Sequence, residues 1–405
     1  MRTLAPVGSL RAAWLALALS FGANAGGGWN QWLGGPERTL NASLQSTTDS
    51  PPTFTEFWRR PMGSGFAGFS VDAGHGITAM TDGRQDVAVL LDAATGFERW
   101  RFTLGRTRKR AEGVPLGPLS TPAIDAEAAY VQALDGRFVC LDRASGQLRW
   151  EVNLKRAFQA YEPGYGFASS PLLLPDLVVL LPAGSSANSA VALDRRTGEV
   201  RWKASLGTAT EYASAAWLPQ PGRGGGQIIA ALGTRLAGLA PEDGRLLWAL
   251  DGVAGGLWTP STLTGGRVFF PTAQVTRLLE PAGDAAREIW NSPVFEGVMG
   301  PVVELDGMLI GHHERRLTAL DATAGRQLWQ RPAETDGQLL VLGKWLVFVN
   351  DRAGTLEVLV VTPQGCEAVH RQPVLKPTRM ESPLAFADGL LFLRAPEELV
   401  ALRVR

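Results

Sequence analysis

A ten-residue phrase recurs along the chain: LDAATGFERW at 91–100, LDRASGQLRW at 141–150 and LDRRTGEVRW at 193–202. Aligned on the acid, it reads Asp, three residues, Gly, three residues, Trp: Asp92, Gly96 and Trp100; Asp142, Gly146 and Trp150; Asp194, Gly198 and Trp202. Asp321, Gly325 and Trp329 repeat it, Gly244 with Trp248 keeps it where Ala240 replaces the acid, and a stretched version runs from 279 to Trp290. The tryptophans are 50, 52, 46, 42 and 39 residues apart. Self-similarity at this period is the signature of a ring of four-stranded blades, each too small to bury its own apolar face.

The local chemistry predicts how one blade is made. Gly supplies the positive φ that a tight turn needs, and the Asp carboxylate can accept from nearby backbone N–H groups. The Trp then lies on the outgoing strand, where its ring can fill the wedge between blades. Two further short runs precede each copy, as in STPAIDAEAAYVQALDGRFVCLD at 120–142, and complete four strands. At the ends the count is incomplete. FTEFWRR at 54–60 offers a Trp strand, Trp58, with no strands before it, and 382–404 offers three strands with no fourth. Pairing the two ends closes the ring and removes the exposed edge. The outgoing strands then fall at 58, 100, 150, 202, 248, 290, 329 and 369, with Val369 in place of Trp. The expectation is an all-β, eight-bladed propeller of four-stranded antiparallel blades over 54–405. Trp58, Trp100, Trp150, Trp202, Trp248, Trp290 and Trp329 serve as mostly buried docking residues, and an extended segment, 26–53, precedes the ring.

The repeated pattern Ala-x-Asp-x-x-Thr-Gly-x-x-x-Trp, well kept from Ala192 to Trp202, resembles the tryptophan-docking motif of the pyrroloquinoline-quinone-like repeat propellers. WNQWLGGPER, from Trp29 to Arg38, is similar to the opening of many secreted bacterial members. The resemblance covers roughly 29–405 and implies the fold; the motif is shared by enzymes and non-enzymes. In size and motif the chain is similar to the BamB-like branch, which implies a protein-binding scaffold. The quinoprotein alcohol dehydrogenase-like branch implies instead a quinone over Ca²⁺ in the central funnel, beside a Cys-Cys ring and Glu, Asn and Asp ligands.

The residues favour the first branch. The chain has two cysteines, Cys140 and Cys366, which are not adjacent. Placed in blades two and seven, they are too far apart for the roughly 4.4–6.8 Å that a disulfide needs, so both are expected as free thiols. Ca²⁺ takes six to eight oxygens, and no run of closely spaced Asp, Asn and Glu supplies them. No cofactor and no catalytic residue is therefore expected, with a quinone-dependent oxidoreductase as the alternative. A carbohydrate-binding or degrading propeller is a second alternative, for which no carboxylate pair is identifiable.

The leading residues read as an export signal. MRTLAPVGSLR, AAWLALALSFG and ANA form a basic region, an apolar stretch too short to span a bilayer, and a cleavage site ending at Ala25. A periplasmic or extracellular bacterial protein is expected, without a lipid anchor, since no Cys stands at that site. The mature chain would carry 37 basic and 39 acidic residues, which offers no global field for nucleic acid. A monomer is expected.

Function is then expected on the face where the loops leave the Trp strands, because rigid scaffolds concentrate binding in loops. Aromatic and Arg residues, the usual interface anchors, collect there: Phe66, Arg106, Arg108, Lys109, Arg110, Tyr161, Tyr165, Phe167, Tyr212 and Trp258. His312 and His313 join them as candidates at a strand tip, where a surface turn is expected. The partner would be a protein or a small ligand.

Overall fold

The computed structural model describes residues 29–43, 50–109, 117–183, 185–207, 210–220, 225–253, 259–295, 300, 302–313, 315–333, 337–378, 380 and 382–405. Eight sheets of four antiparallel strands follow one another around a ring, the seventh extended at its inner edge by the parallel strand Asn41–Ala42. Their innermost strands are Ser70–Asp72, Ala123–Ile124, Leu172–Leu173, Ala216–Gln220, Ser261–Leu263, Val302–Leu305, Gly337–Leu342 and Ala385–Ala387, in blades one to eight. Blade eight takes its outermost strand, Phe54–Pro61, from the other end of the chain, paired from Phe54 with Val404 to Pro61 with Glu398. The expected closure is thus realised. Cys140 and Cys366 are free thiols, buried in blade two and half-buried in blade seven respectively.

Each repeat works as a latch between neighbours. In blade two the Asp142 carboxylate accepts from the Ser145 backbone N–H at 2.9 Å and is paired with Arg149 at 2.7 Å. Gly146 follows at φ +71°, and a Cβ there would lie 2.6 Å from the Trp100 ring of blade one. Glycine is required on both counts, conformation and contact. The Trp100 indole N–H donates to Arg143 O at 2.8 Å. Trp58, Trp150, Trp202, Trp290 and Trp329 likewise donate to carbonyls of the following blade.

Two departures have local causes. Trp248 does not reach the stretched turn of blade five. It lies over Gly238 of its own blade, where a Cβ would come within 2.2 Å of its Nε1, and donates to Gln227. Gln227 bonds to Gln220, and Gln220 donates to Pro281 O, so two amides carry the link to blade five. Blade seven has Val369 because blade eight has no turn for a Trp to dock on: the chain ends meet there. Gln372 instead donates to Phe54 O at 3.1 Å, and His370 packs against Phe54. Burial is also less uniform than expected. Trp202, Trp248, Trp290 and Trp329 are buried, whereas Trp58, Trp100 and Trp150 are half-buried because their outer edge faces solvent at the rim.

The turn carboxylates make the latches sensitive to acid. The Arg149 bond and the turn N–H hold Asp142 at about 2, below its ordinary 3.8, and Asp92, Asp194 and Asp321 are lowered by the same kind of contact. The unfolded chain therefore binds more protons, so this stabilisation is present above about pH 4 and is lost as the pH falls toward 2. The melting temperature should drop over that window, and Asp142→Asn should flatten the drop. An identical acid profile for the variant would exclude a contribution from this turn.

Candidate interaction face

The two ends of the central channel differ. The end carrying the turns between first and second strands is crossed by residues 29–43. Trp29 O accepts from Val71 N, Asn30 O from Ile124 N, Pro36 O from Trp217 N, Glu37 O from Thr262 N and Leu40 O from Val341 N. The Gln31 amide pairs both ways with Leu173. Six blades are thereby tied to one segment. Arg38, fully buried, donates to Trp32 O, Ala215 O and Pro171 O at 2.6, 3.1 and 3.1 Å. Burial draws its guanidinium down to about 9, which still leaves it charged at neutral pH. The three carbonyls answer that charge. The WNQWLGGPER motif is therefore a brace.

At the opposite end, hydroxyls at the starts of the inner strands link one blade to the next. Gly68 N donates to Thr121 Oγ1, Thr121 N to Ser170 Oγ, Ser170 N to Ser214 Oγ and Ser214 N to Thr259 Oγ1, at 2.8–3.0 Å. The signal in the sequence was a Ser or Thr before Pro in TP at 121, SP at 170, TP at 259 and SP at 382. Neutral hydroxyls turned toward backbone amides do not fit a Ca²⁺ ion, which needs six to eight oxygens and draws on carboxylates. Among the described residues no group of three or more His, Cys, Asp or Glu could hold a metal.

The loop leaving blade two is fixed from beneath. Leu154–Phe158 is a short helix, capped by the Asn153 side chain accepting from Arg156 N. Leu154, Phe158, Ala160 and Phe167 are buried, and the Asn188 amide donates to Phe158 O. Fixing these four leaves Tyr161 and Tyr165 outward, 55 % and 60 % exposed. Tyr165 N donates to the Tyr212 hydroxyl at 3.2 Å, with the two rings 6.1 Å apart. Between the tyrosines, Glu162 pairs with Arg108 at 2.5 Å and Lys155 at 2.9 Å. The result is a rigid loop with two exposed phenols and a charged rim. Exposed aromatic residues on a rigid base suit protein contact, since little side-chain freedom is lost on binding.

Arg108, Tyr161, Tyr165 and Tyr212 are thus brought together. Arg106 and Lys109 are exposed nearby in the chain. Phe167 belongs to the core, packed over Gly136, and not to the face. Phe66 is half-buried, its backbone N–H bonded to Pro118 O. Arg110 and Trp258 lie outside the described residues. His312 is not a surface residue: its ring is buried and stacked on Phe348, because the strand Met308–His313 continues one pair beyond it. His313 pairs through its backbone with Arg316. Sequence reading did not single out Lys155 and Glu162, since isolated loop charges carry no motif.

A family model described as "Outer membrane protein assembly factor BamB" matches residues 48–231 and 232–401. The assembly factor BamB of Nitrosomonas eutropha is 25 % identical over 239 residues, 54 % of this chain and 53 % of that protein. The chain thus matches about half the length of that relative. Among solved structures, BamB from Moraxella catarrhalis has a TM-score of 0.62 at 16 % identity, covering 87 % of this chain and 98 % of that one. A europium-containing methanol dehydrogenase reaches 0.68 at 10 % identity, covering 93 % and 98 %. At such identities these structures establish the shared fold, on which enzymes and binding scaffolds both occur.

Proposed function

We propose that this chain, which belongs to the family of the outer membrane protein assembly factor BamB, is an exported, non-catalytic scaffold that holds a partner protein of outer membrane assembly on its loop face. The observation that carries the reading is the pair Tyr161 and Tyr165, more than half exposed on a loop whose base is buried. Arg108, Glu162 and Lys155 supply a charged rim, which tunes encounter and register more than affinity. Export rests on the leader-like residues 1–25. Among the described residues no helix is long and apolar enough to cross a membrane. Ca²⁺ has no place in this reading, because hydroxyls that accept from backbone amides are poor ligands for it.

Changing Tyr161 and Tyr165 together to Ser should abolish partner capture while moving the melting temperature little, since exposed positions usually change stability by less than about 0.5 kcal/mol. The check is co-purification from the cell envelope, with melting followed on the same preparations. Undiminished capture by a folded double variant would reject the face. Dye-linked alcohol oxidation by the wild type in the presence of quinone and Ca²⁺ would reject the non-catalytic assignment.

A further inference from the structure

We propose that a cleft between blades six and seven, on the loop face and separate from the tyrosine loop, binds a carboxylate that carries an apolar group. The cleft encloses about 300 Å³, at the lower end of small-ligand sites. At its centre Glu357, only 4 % exposed, accepts from Arg331 at 2.7 Å through one oxygen and from Arg371 through the other. Arg331 alone satisfies the charge of that acid. The second guanidinium leaves the group with one excess positive charge, and the Arg371 side chain remains 62 % exposed at the opening.

Each guanidinium has five N–H donors. Among the described residues Glu357 is the one partner of Arg371, and Arg331 adds only a long contact of 4.0 Å to the Cys366 sulfur. Burial pushes the Cys366 thiol up, so it stays neutral beside them. Donors therefore remain for an incoming anion, and planar guanidinium groups match carboxylates well. One net charge suits a monoanion. The walls set the rest of the ligand: Leu317, Pro332 and Phe348 line the same space. Phe348 is held from behind by the stacked His312 ring, 5.9 Å away and 12° from parallel. Asn350 and Thr355 share the lining, so the walls are mixed, and it is the apolar side chains among them, beside a cation, that favour an acid with a hydrophobic body over a small hydrated ion such as inorganic phosphate.

Titration of the intact protein with 3-phenylpropionate, followed by calorimetry, tests this. Saturable binding is expected, at least tenfold weaker for 3-phenylpropionamide and for acetate, which lack the charge and the ring respectively. Arg371→Gln should weaken it at least tenfold at an unchanged melting temperature, and Arg371→Lys should restore part of it. An acetylated tetrapeptide ending in phenylalanine separates two sources of this chemistry: tighter binding than the free acid assigns the site to chain ends, weaker binding to free acids. Equal binding of acid and amide, no effect of Arg371→Gln, phosphate binding as tightly as the acid, or no saturation at millimolar probe would each overturn the proposal. None of these outcomes depends on Tyr161 or Tyr165.

Discussion

Removal of residues 398–405 is expected to leave the chain without a stable ring. The strand Glu398–Val404 lies between Phe54–Pro61 and Leu390–Ala395, so its loss unpairs one strand completely and exposes the edge of another. Leu399, Val400 and Leu402 are at most 1 % exposed. Their burial alone is worth on the order of 4.5–9 kcal/mol at roughly 1.5–3 kcal/mol for each side chain. That is comparable with the whole stability of a typical protein, about 5–15 kcal/mol. The two free edges would also invite association between chains. The truncated chain should be recovered mainly in aggregates, with no cooperative melting. A soluble product melting at the parent temperature would contradict the closure of the ring by its two ends.

Trp202→Ala is expected to cost about 3–5 kcal/mol, the range for large aromatic truncations in packed interiors. Trp202 is 7 % exposed, sits on Gly244 and donates to Pro241 O at 2.8 Å. The substitution opens a space between blades three and four, and leaves that carbonyl without the indole. Trp150→Ala should cost less, because that ring is only partly buried and water already reaches its exposed part. Denaturant unfolding of the two variants checks the order. Negligible losses at both positions would mean that the repeated Trp does not hold neighbouring blades together.

Much of the fold was legible because the repeat encodes it twice, once in the turn and once in the ring that docks on it. Even the missing Trp at 369 was informative, since it marks the seam where no turn exists. The brace was not legible as such. Residues 29–43 have no periodicity, and their partners are mostly backbone groups 42–301 residues further on, from Val71 to Val341. Composition cannot report contacts of that kind. The detour of Trp248 needed Gly238 and Gln227, two residues with no motif between them. At the candidate site, aromatic residues in loops were visible in sequence, but their exposure was not. Phe167 and Tyr165 stand two residues apart, which in an extended stretch would put them on one face, yet one fills the core and the other faces solvent, because Gly166 between them, at φ +90°, turns the chain. His312 was expected in a surface turn at a strand tip, but the strand runs one pair beyond it, to His313 and Arg316.

The docking claim is tested most directly by placing a photoreactive phenylalanine analogue at position 165 in living bacteria, and at position 97 as a control. Phe97 is 74 % exposed but lies in a docking turn at the opposite end of the ring. An aromatic probe at 165 keeps the ring that the account requires, so folding and contact should both survive. Irradiation should yield a discrete covalent product with an envelope protein from position 165 and none from position 97. A product from 97 alone, or none from 165 in a folded and exported chain, would contradict a partner held on the loop face.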